Sequence, residues 1–125
     1  FNKYRIMIYI KTQELFESEN VLLYHVANTE SRNSIEKNGL NYLKGISPWQ
    51  SPEDPIDYPK GNYFWINLKQ ARLYAGGLSE PMDIWIVNKC NVKDIKEDPV
   101  TKNGLYSIYP VDKKYISLLE TVNYN

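Results

Sequence analysis

Two residue types that build most reactive and metal centres are nearly missing from this 125-residue chain: it has one cysteine, Cys90, and one histidine, His25. A lone cysteine excludes an internal disulfide framework and any zinc site made of several thiolates, and one histidine leaves most His/Cys metal sites short of ligands. No Asp-x-Asp-x-Asp run offers a calcium loop, and neither G-x-G-x-x-G nor G-x-x-x-x-G-K-[ST] is present to cradle phosphates. An excess of one charge is lacking as well. Fifteen lysines and arginines balance fifteen aspartates and glutamates, so the formal net charge is zero. That removes the electrostatic footprint of a duplex DNA or RNA binder and of a protein drawn to anionic membranes. No apolar run approaches the roughly 20 residues of a membrane-spanning helix. There is also no signal-peptide apolar segment and no Asn-x-Ser/Thr sequon. The expectation is a cytoplasmic protein with no metal, membrane or duplex nucleic-acid partner. The chain starts at Phe1 rather than at methionine, so the reading allows for an upstream segment.

What is abundant is tyrosine: 11 of them, with three tryptophans, against three phenylalanines. Such side chains bring large apolar area with a polar tip, which suits either a β-sheet core or a stacking surface. The length fits one domain, 1–125, with a single core and no staples.

Along the chain, Arg5–Ile10 is β-branched at alternate positions and reads as a strand, and Thr12–Phe16 as a short helix or a turn. Val21–Val26 is a short, mostly apolar run, the pattern of a buried strand. Thr29 can cap a helix over Glu30–Lys37, which Asn38-Gly39 would stop. Residues 44–61 hold Pro48, Pro52, Pro55 and Pro59, and no regular element is expected there. Tyr63–Ile66 reads as a strand. Asn67 can cap a second helix, with Leu68, Ala71, Tyr74 and Ala75 on one face and Gly76-Gly77 at its end. Asp83–Asn88, Leu105–Tyr109 and Tyr115–Leu119 read as three more strands. Strands outnumber helices, which predicts an α+β fold with a mixed or antiparallel sheet.

The candidate chemical residues are few. His25 sits within an apolar strand, where a histidine with one backbone partner is the plain structural reading. Cys90 follows a strand without any local signature of a cysteine nucleophile. Tyr63 and Tyr74 lie on a strand and on the helix after it; a strand–turn–helix unit folds back, so both side chains can face one cleft or simply fill the core.

Taken in order, Leu22-Leu-Tyr-His25, Ser34-Ile35, Gly39-Leu40, a proline-rich loop, Lys60-Gly-Asn-Tyr-Phe64 and Tyr74 resemble the ADP-ribosyltransferase superfamily. The closer similarity is to its histidine–tyrosine–glutamate branch of diphtheria-type toxins and poly-ADP-ribose polymerases. Tyr63 and Tyr74 stand eleven residues apart, the interval between the paired tyrosines of the polymerase-type enzymes. Asn103-Gly-Leu-Tyr-Ser-Ile-Tyr109 with Tyr115-Ile looks like the family's last motif.

The resemblance implies a compact α+β domain with a split, mostly antiparallel β-sheet and short helices. It implies NAD+ as substrate and no metal, with His25 binding a ribose hydroxyl and Tyr63 and Tyr74 clamping nicotinamide. A flat cationic ring between two tyrosine faces is held by stacking and cation–π attraction. Three positions depart from the family. Val26-Ala27 replaces Gly-Ser/Thr after the histidine, leaving the Val26 peptide to grip the carboxamide. Ala71 stands where a serine hydroxyl is expected, and Leu105, or Gly104 with a one-residue shift, stands at the position of the glutamate. Glu97 and Glu120 are the carboxylates that could replace it if the fold brings one near.

The implied activity is NAD+-dependent transfer of a single ADP-ribose to a protein or nucleic-acid acceptor, with His25, Tyr63 and Leu105 marking the three motif positions. The missing glutamate equally implies the alternative of an inactive domain that binds an NAD-like ligand or a protein partner. A third possibility is a small aromatic interaction domain that stacks single-stranded nucleic acid.

Overall fold

Capping chemistry sets most of the element boundaries in the computed structural model, which describes residues 21–42, 50–51, 54–55, 60–101 and 103–123. The first strand, β1, runs Leu22–Asn28. The Asn28 side chain accepts the Glu30 N–H at 2.8 Å and opens a 3-10 turn over Thr29–Ser31, from which α1, Arg32–Asn38, continues. The cap expected at Thr29 is therefore taken by Asn28, whose extended backbone already suits an N-cap, and the α-helix begins later than its sequence pattern suggests. Gly39 ends α1 with φ at 77° and donates its N–H to the Ile35 carbonyl. A Cβ there would lie 2.1 Å from the Val111 oxygen, so both the conformation and the close approach of another segment demand glycine.

Inside the proline-rich stretch, β2 (Gln50–Ser51) and β3 (Asp54–Pro55) pair as a small antiparallel ladder, which corrects the expectation of no regular element there. Pro55 has no N–H to donate, which suits it to so short a ladder. β4 covers Asn62–Trp65, and α2 covers Leu68–Gly76 with the expected cap: Asn67 accepts the N–H groups of Lys69 and Gln70. The remaining strands are β5 (Met82–Asn88), β6 (Lys96–Glu97), β7 (Gly104–Ser107) and β8 (Ile116–Val122). The segments expected as a strand at Arg5–Ile10 and as a helix or turn at Thr12–Phe16 lie outside the described residues.

Six strands form one sheet in the order β6-β7-β4-β1-β5-β8, and every neighbouring pair is antiparallel. The fold is α+β with a mostly antiparallel sheet. Side chains alternate between the two faces of each strand, and the two faces bury different clusters. On one face Leu23, Ala27, Phe64, Trp85 and Leu105 pack beneath Ile35 of α1, together with Leu40, Val92, Val111 and Ile116. On the other, Val26, Met82 and Ile84 pack against Ala71 and Ala75 of α2, ringed by Tyr24, Trp65, Leu68 and Tyr74. Ala71 and Ala75 are completely buried, and their small size lets the helix lie close on the sheet.

One polar joint is buried in this frame. The Asp83 carboxylate, with no exposed side-chain surface, accepts Arg32 Nε and Nη2 at 2.9 and 2.8 Å and the Thr121 hydroxyl at 2.7 Å. A residue at the start of α1 is thereby fixed to β5 and β8. Burial alone would raise the Asp83 pKa, but the Arg32 and Thr121 hydrogen bonds and the guanidinium charge outweigh it and hold the carboxyl below its usual value.

Candidate functional site

The strands that carry His25, Tyr63 and Leu105 are neighbours in the sheet, in the order β1, β4, β7. Their joints differ in length. β4 and β7 pair over four residues, including Tyr63 with Tyr106 and Phe64 with Leu105. β1 and β4 are in register at a single pair, Tyr24 with Trp65, whereas β1 and β5 pair from Leu22–Asn88 through Asn28–Met82.

The direction of the peptide groups shows what that short joint leaves. The Val21 carbonyl accepts the Lys89 N–H at 2.8 Å, so odd-numbered peptides of β1 point at β5 and even-numbered ones at β4. The Ile66 N–H reaches the Asn103 carbonyl at 3.0 Å, so even-numbered peptides of β4 point at β7 and odd-numbered ones at β1. Continuing the ladder from Tyr24–Trp65 would bring Val26 opposite Tyr63, and the register stops before that pair. At this break the His25 ring enters: its Nδ1 lies 2.7 Å from the Tyr63 carbonyl oxygen. A carbonyl only accepts, so Nδ1 carries the hydrogen and, in the neutral ring, Nε2 is left as an acceptor. Burial lowers the His25 pKa, more than the Tyr63 bond raises it, so the ring is neutral at pH 7. Tyr63 is thus held through its main chain by the only histidine.

The sheet faces divide the expected site residues. Val26, Ala71 and Tyr74 come together in the cluster under α2, and Trp65 lies with them, its ring 5.6 Å from that of Tyr74 at 39°. Alternation along β4 puts the Tyr63 ring on this same face, where it stacks on Tyr106 at 5.2 Å and 18°. Tyr63 and Tyr74 therefore share a sheet face, each against a different ring, Tyr106 for the one and Trp65 for the other. The His25 ring and Leu105 lie on the opposite face, flanking Phe64; the His25 and Phe64 rings are 5.8 Å apart. What joins the two halves is the Tyr63 residue itself, with its ring on one side and its carbonyl tied to His25 on the other.

Gly61, two residues before Tyr63, is shaped by the same contact between strands. A Cβ there would meet the Ser107 carbonyl at 2.7 Å. The buried Asn62 amide between them donates to the Leu40 and Tyr109 carbonyls at 3.2 and 3.0 Å. The Gly-Asn-Tyr-Phe run is therefore clamped on both sides, which fixes where the Tyr63 ring points.

The carboxylates sort clearly. Glu120 is bound by Arg72 through two hydrogen bonds of 2.9 and 2.8 Å, which lower its pKa, and it pairs across from Ile84 on the α2 side. Asp83 is consumed by Arg32 and Thr121. Asp98 caps the turn after β6 by accepting the Val100 and Thr101 N–H groups. Glu97, by contrast, is the register partner of Leu105 across β6 and β7, so it occupies the same sheet face one strand over. Both line a cavity of about 370 Å³, with Ile66, Asp98, Val100 and Asn103 around it. The volume is at the small end of ligand sites.

Sequence reasoning raised Glu97 but had no signal for its register with Leu105, because a two-residue strand has no pattern. It missed Trp65 altogether, since the residue after Tyr-Phe carries no motif. Among the described residues, no group of histidine, cysteine and carboxylate side chains is arranged to hold a metal ion, and Cys90 is exposed in a turn. No helix among them is long and apolar enough to cross a membrane. In comparisons with known proteins, no family model matches this chain, and neither a curated protein nor a solved structure does.

Proposed function

We propose that this domain transfers a single ADP-ribosyl unit from NAD+ to a protein or nucleic-acid acceptor. The observation that carries the reading is the break between β1 and β4, where His25, the Val26 peptide and Tyr63 meet. In the reaction the bond from the ribose C1′ to the nicotinamide nitrogen breaks, and neutral nicotinamide leaves with the electron pair. The acceptor's nucleophile then bonds C1′ and releases its proton. The transition state resembles an oxocarbenium ion, so positioning and nearby negative charge matter more than a strong base.

The residues fit those demands in distinct ways. NAD+ enters at the break between β1 and β4, its nicotinamide reaching the α2 face beside the Tyr63 and Tyr74 rings with the Val26 peptide at its carboxamide, and its ribose staying on the His25 face. A ribose hydroxyl donates to Nε2 of His25, the nitrogen that the Tyr63 bond leaves as an acceptor. Leu105 supplies no charge. The negative charge offered to the C1′ centre is that of Glu97, which lies on the His25 side of the sheet as the register partner of Leu105.

A second reading keeps the pocket without the reaction. Leu105 is 9% exposed and packs in the core at the position where a carboxylate is expected, which favours a silent binder of an NAD-like ligand or a protein partner. Incubation with labelled NAD+ and a cell lysate separates the two. Label on an acceptor that is lost in His25→Ala and Tyr63→Ala supports transfer. Calorimetric binding of NAD+ with neither label nor hydrolysis supports the silent binder, and no binding defeats both.

A further inference from the structure

Buried hydrogen-bonding groups in folded proteins nearly always have partners, and each exception calls for a reason. Among the described residues two buried side-chain atoms lack one, and both are indole nitrogens: Nε1 of Trp65 and Nε1 of Trp85. Leaving such a donor unsatisfied costs stability relative to one with a partner.

Trp65 is the informative case because of where it stands. Its indole belongs to the cluster that holds Val26, Ala71 and Tyr74, and it contacts the Tyr74 ring. Apart from the Tyr24 and Tyr74 hydroxyls, the other side chains of this cluster are apolar, and the Ala71 side chain offers no polar atom. A planar amide entering here brings an oxygen with two lone pairs and an NH2 group. The Val26 peptide offers one donor and one acceptor toward the break, which leaves one lone pair of the amide oxygen unmet. The indole N–H of Trp65 is a buried donor on this face that has no partner.

We propose that Nε1–H of Trp65 is the specificity-determining donor for the carboxamide oxygen of the nicotinamide ring, doing what a hydroxyl at position 71 cannot do here. This rests on the NAD+ reading above and names the group that selects a carboxamide over a bare ring. Because Nε1 is covered in this structure, Trp65 or Tyr74 changes rotamer as the ring enters. Both side chains are half-buried at the edge of the cluster, where such a movement disturbs little of the core.

The test is a titration of the ¹⁵N-labelled full chain followed by NMR. The chain has three tryptophans, so three indole N–H signals are expected, and loss of one in Trp65→Phe assigns it. Nicotinamide should move the Trp65 indole signal in a saturable way, while pyridine, which lacks the carboxamide, should not at equal concentration. Trp65→Phe keeps an aromatic ring but removes the N–H, and should weaken nicotinamide binding about tenfold with no loss of thermal stability. Nicotinamide binding that shifts the Val26 and Tyr74 signals but leaves the Trp65 indole unmoved overturns this inference alone. Absence of any nicotinamide binding overturns it together with the donor-site reading.

Discussion

Nδ1 of His25 donates to the carbonyl oxygen of Tyr63 across 2.7 Å, from one central strand to the next, at the point where their ladder stops. The bond does two things at once. It satisfies a main-chain acceptor that the break would otherwise leave to water, and it fixes the tautomer of the chain's only histidine.

That arrangement makes stability depend on pH near neutrality. Burial lowers the folded-state pKa of His25 below the ordinary 6.5, so the native protein resists protonation there. The stabilising contribution is complete above 6.5 and is lost as pH falls through the lower, folded value. The thermal midpoint of the parent should therefore decline as pH drops below 6.5, and His25→Gln should remove that part of the decline. Identical pH profiles for the two proteins would contradict the assignment.

A second, more acidic step belongs to Asp83. Its folded pKa lies below the ordinary 3.8, so its contribution is complete above that value and disappears as pH falls through the lower one. Asp83→Asn should cost on the order of 2 kcal/mol at pH 7, since it weakens charge-assisted bonds to Arg32 and Thr121 in a buried place. Urea unfolding measures this directly. An unchanged midpoint at pH 7, or an acid limb unaffected by the substitution, would count against it.

Glu97 and Glu120 provide a matched pair for testing the proposed chemistry. Glu97→Gln should reduce the rate of nicotinamide release from NAD+ about a hundredfold, the usual cost of one group aimed at transition-state charge, with little change in KM. Glu120→Gln, which only disturbs the surface contact to Arg72, should leave the rate within about twofold. Equal effects of the two substitutions would remove Glu97 from the reaction.

How much of this could be read from the sequence depended on how local each signal was. Asn67 and Gly39 act on their immediate neighbours, and both do what their residue type predicts. The cap predicted at Thr29 is made instead by Asn28, which opens the 3-10 turn before α1, and α1 itself follows Ser31 without a side-chain cap bond. The β2–β3 ladder was hidden by prolines that two-residue strands can tolerate. The links that matter most for the site span long stretches of chain. Arg32 and Asp83 are 51 residues apart and His25 and Tyr63 are 38 apart, and nothing in either residue announces its partner. The pairing of the motif strands was legible only as an order of short motifs. The division of their side chains between two sheet faces required the register, which a one-residue slip would invert.

The central claim is the proposal that NAD+ is opened at its glycosidic bond at the break between β1 and β4. The most direct measurement is nicotinamide released from NAD+ over time by the parent, His25→Ala and Tyr74→Ala proteins, with the intact mass of any modified acceptor read alongside. The account predicts release by the parent, one ADP-ribosyl unit per modified site, and a loss of at least about a hundredfold in both variants. Release that survives in both variants, or a parent that releases none, would contradict it.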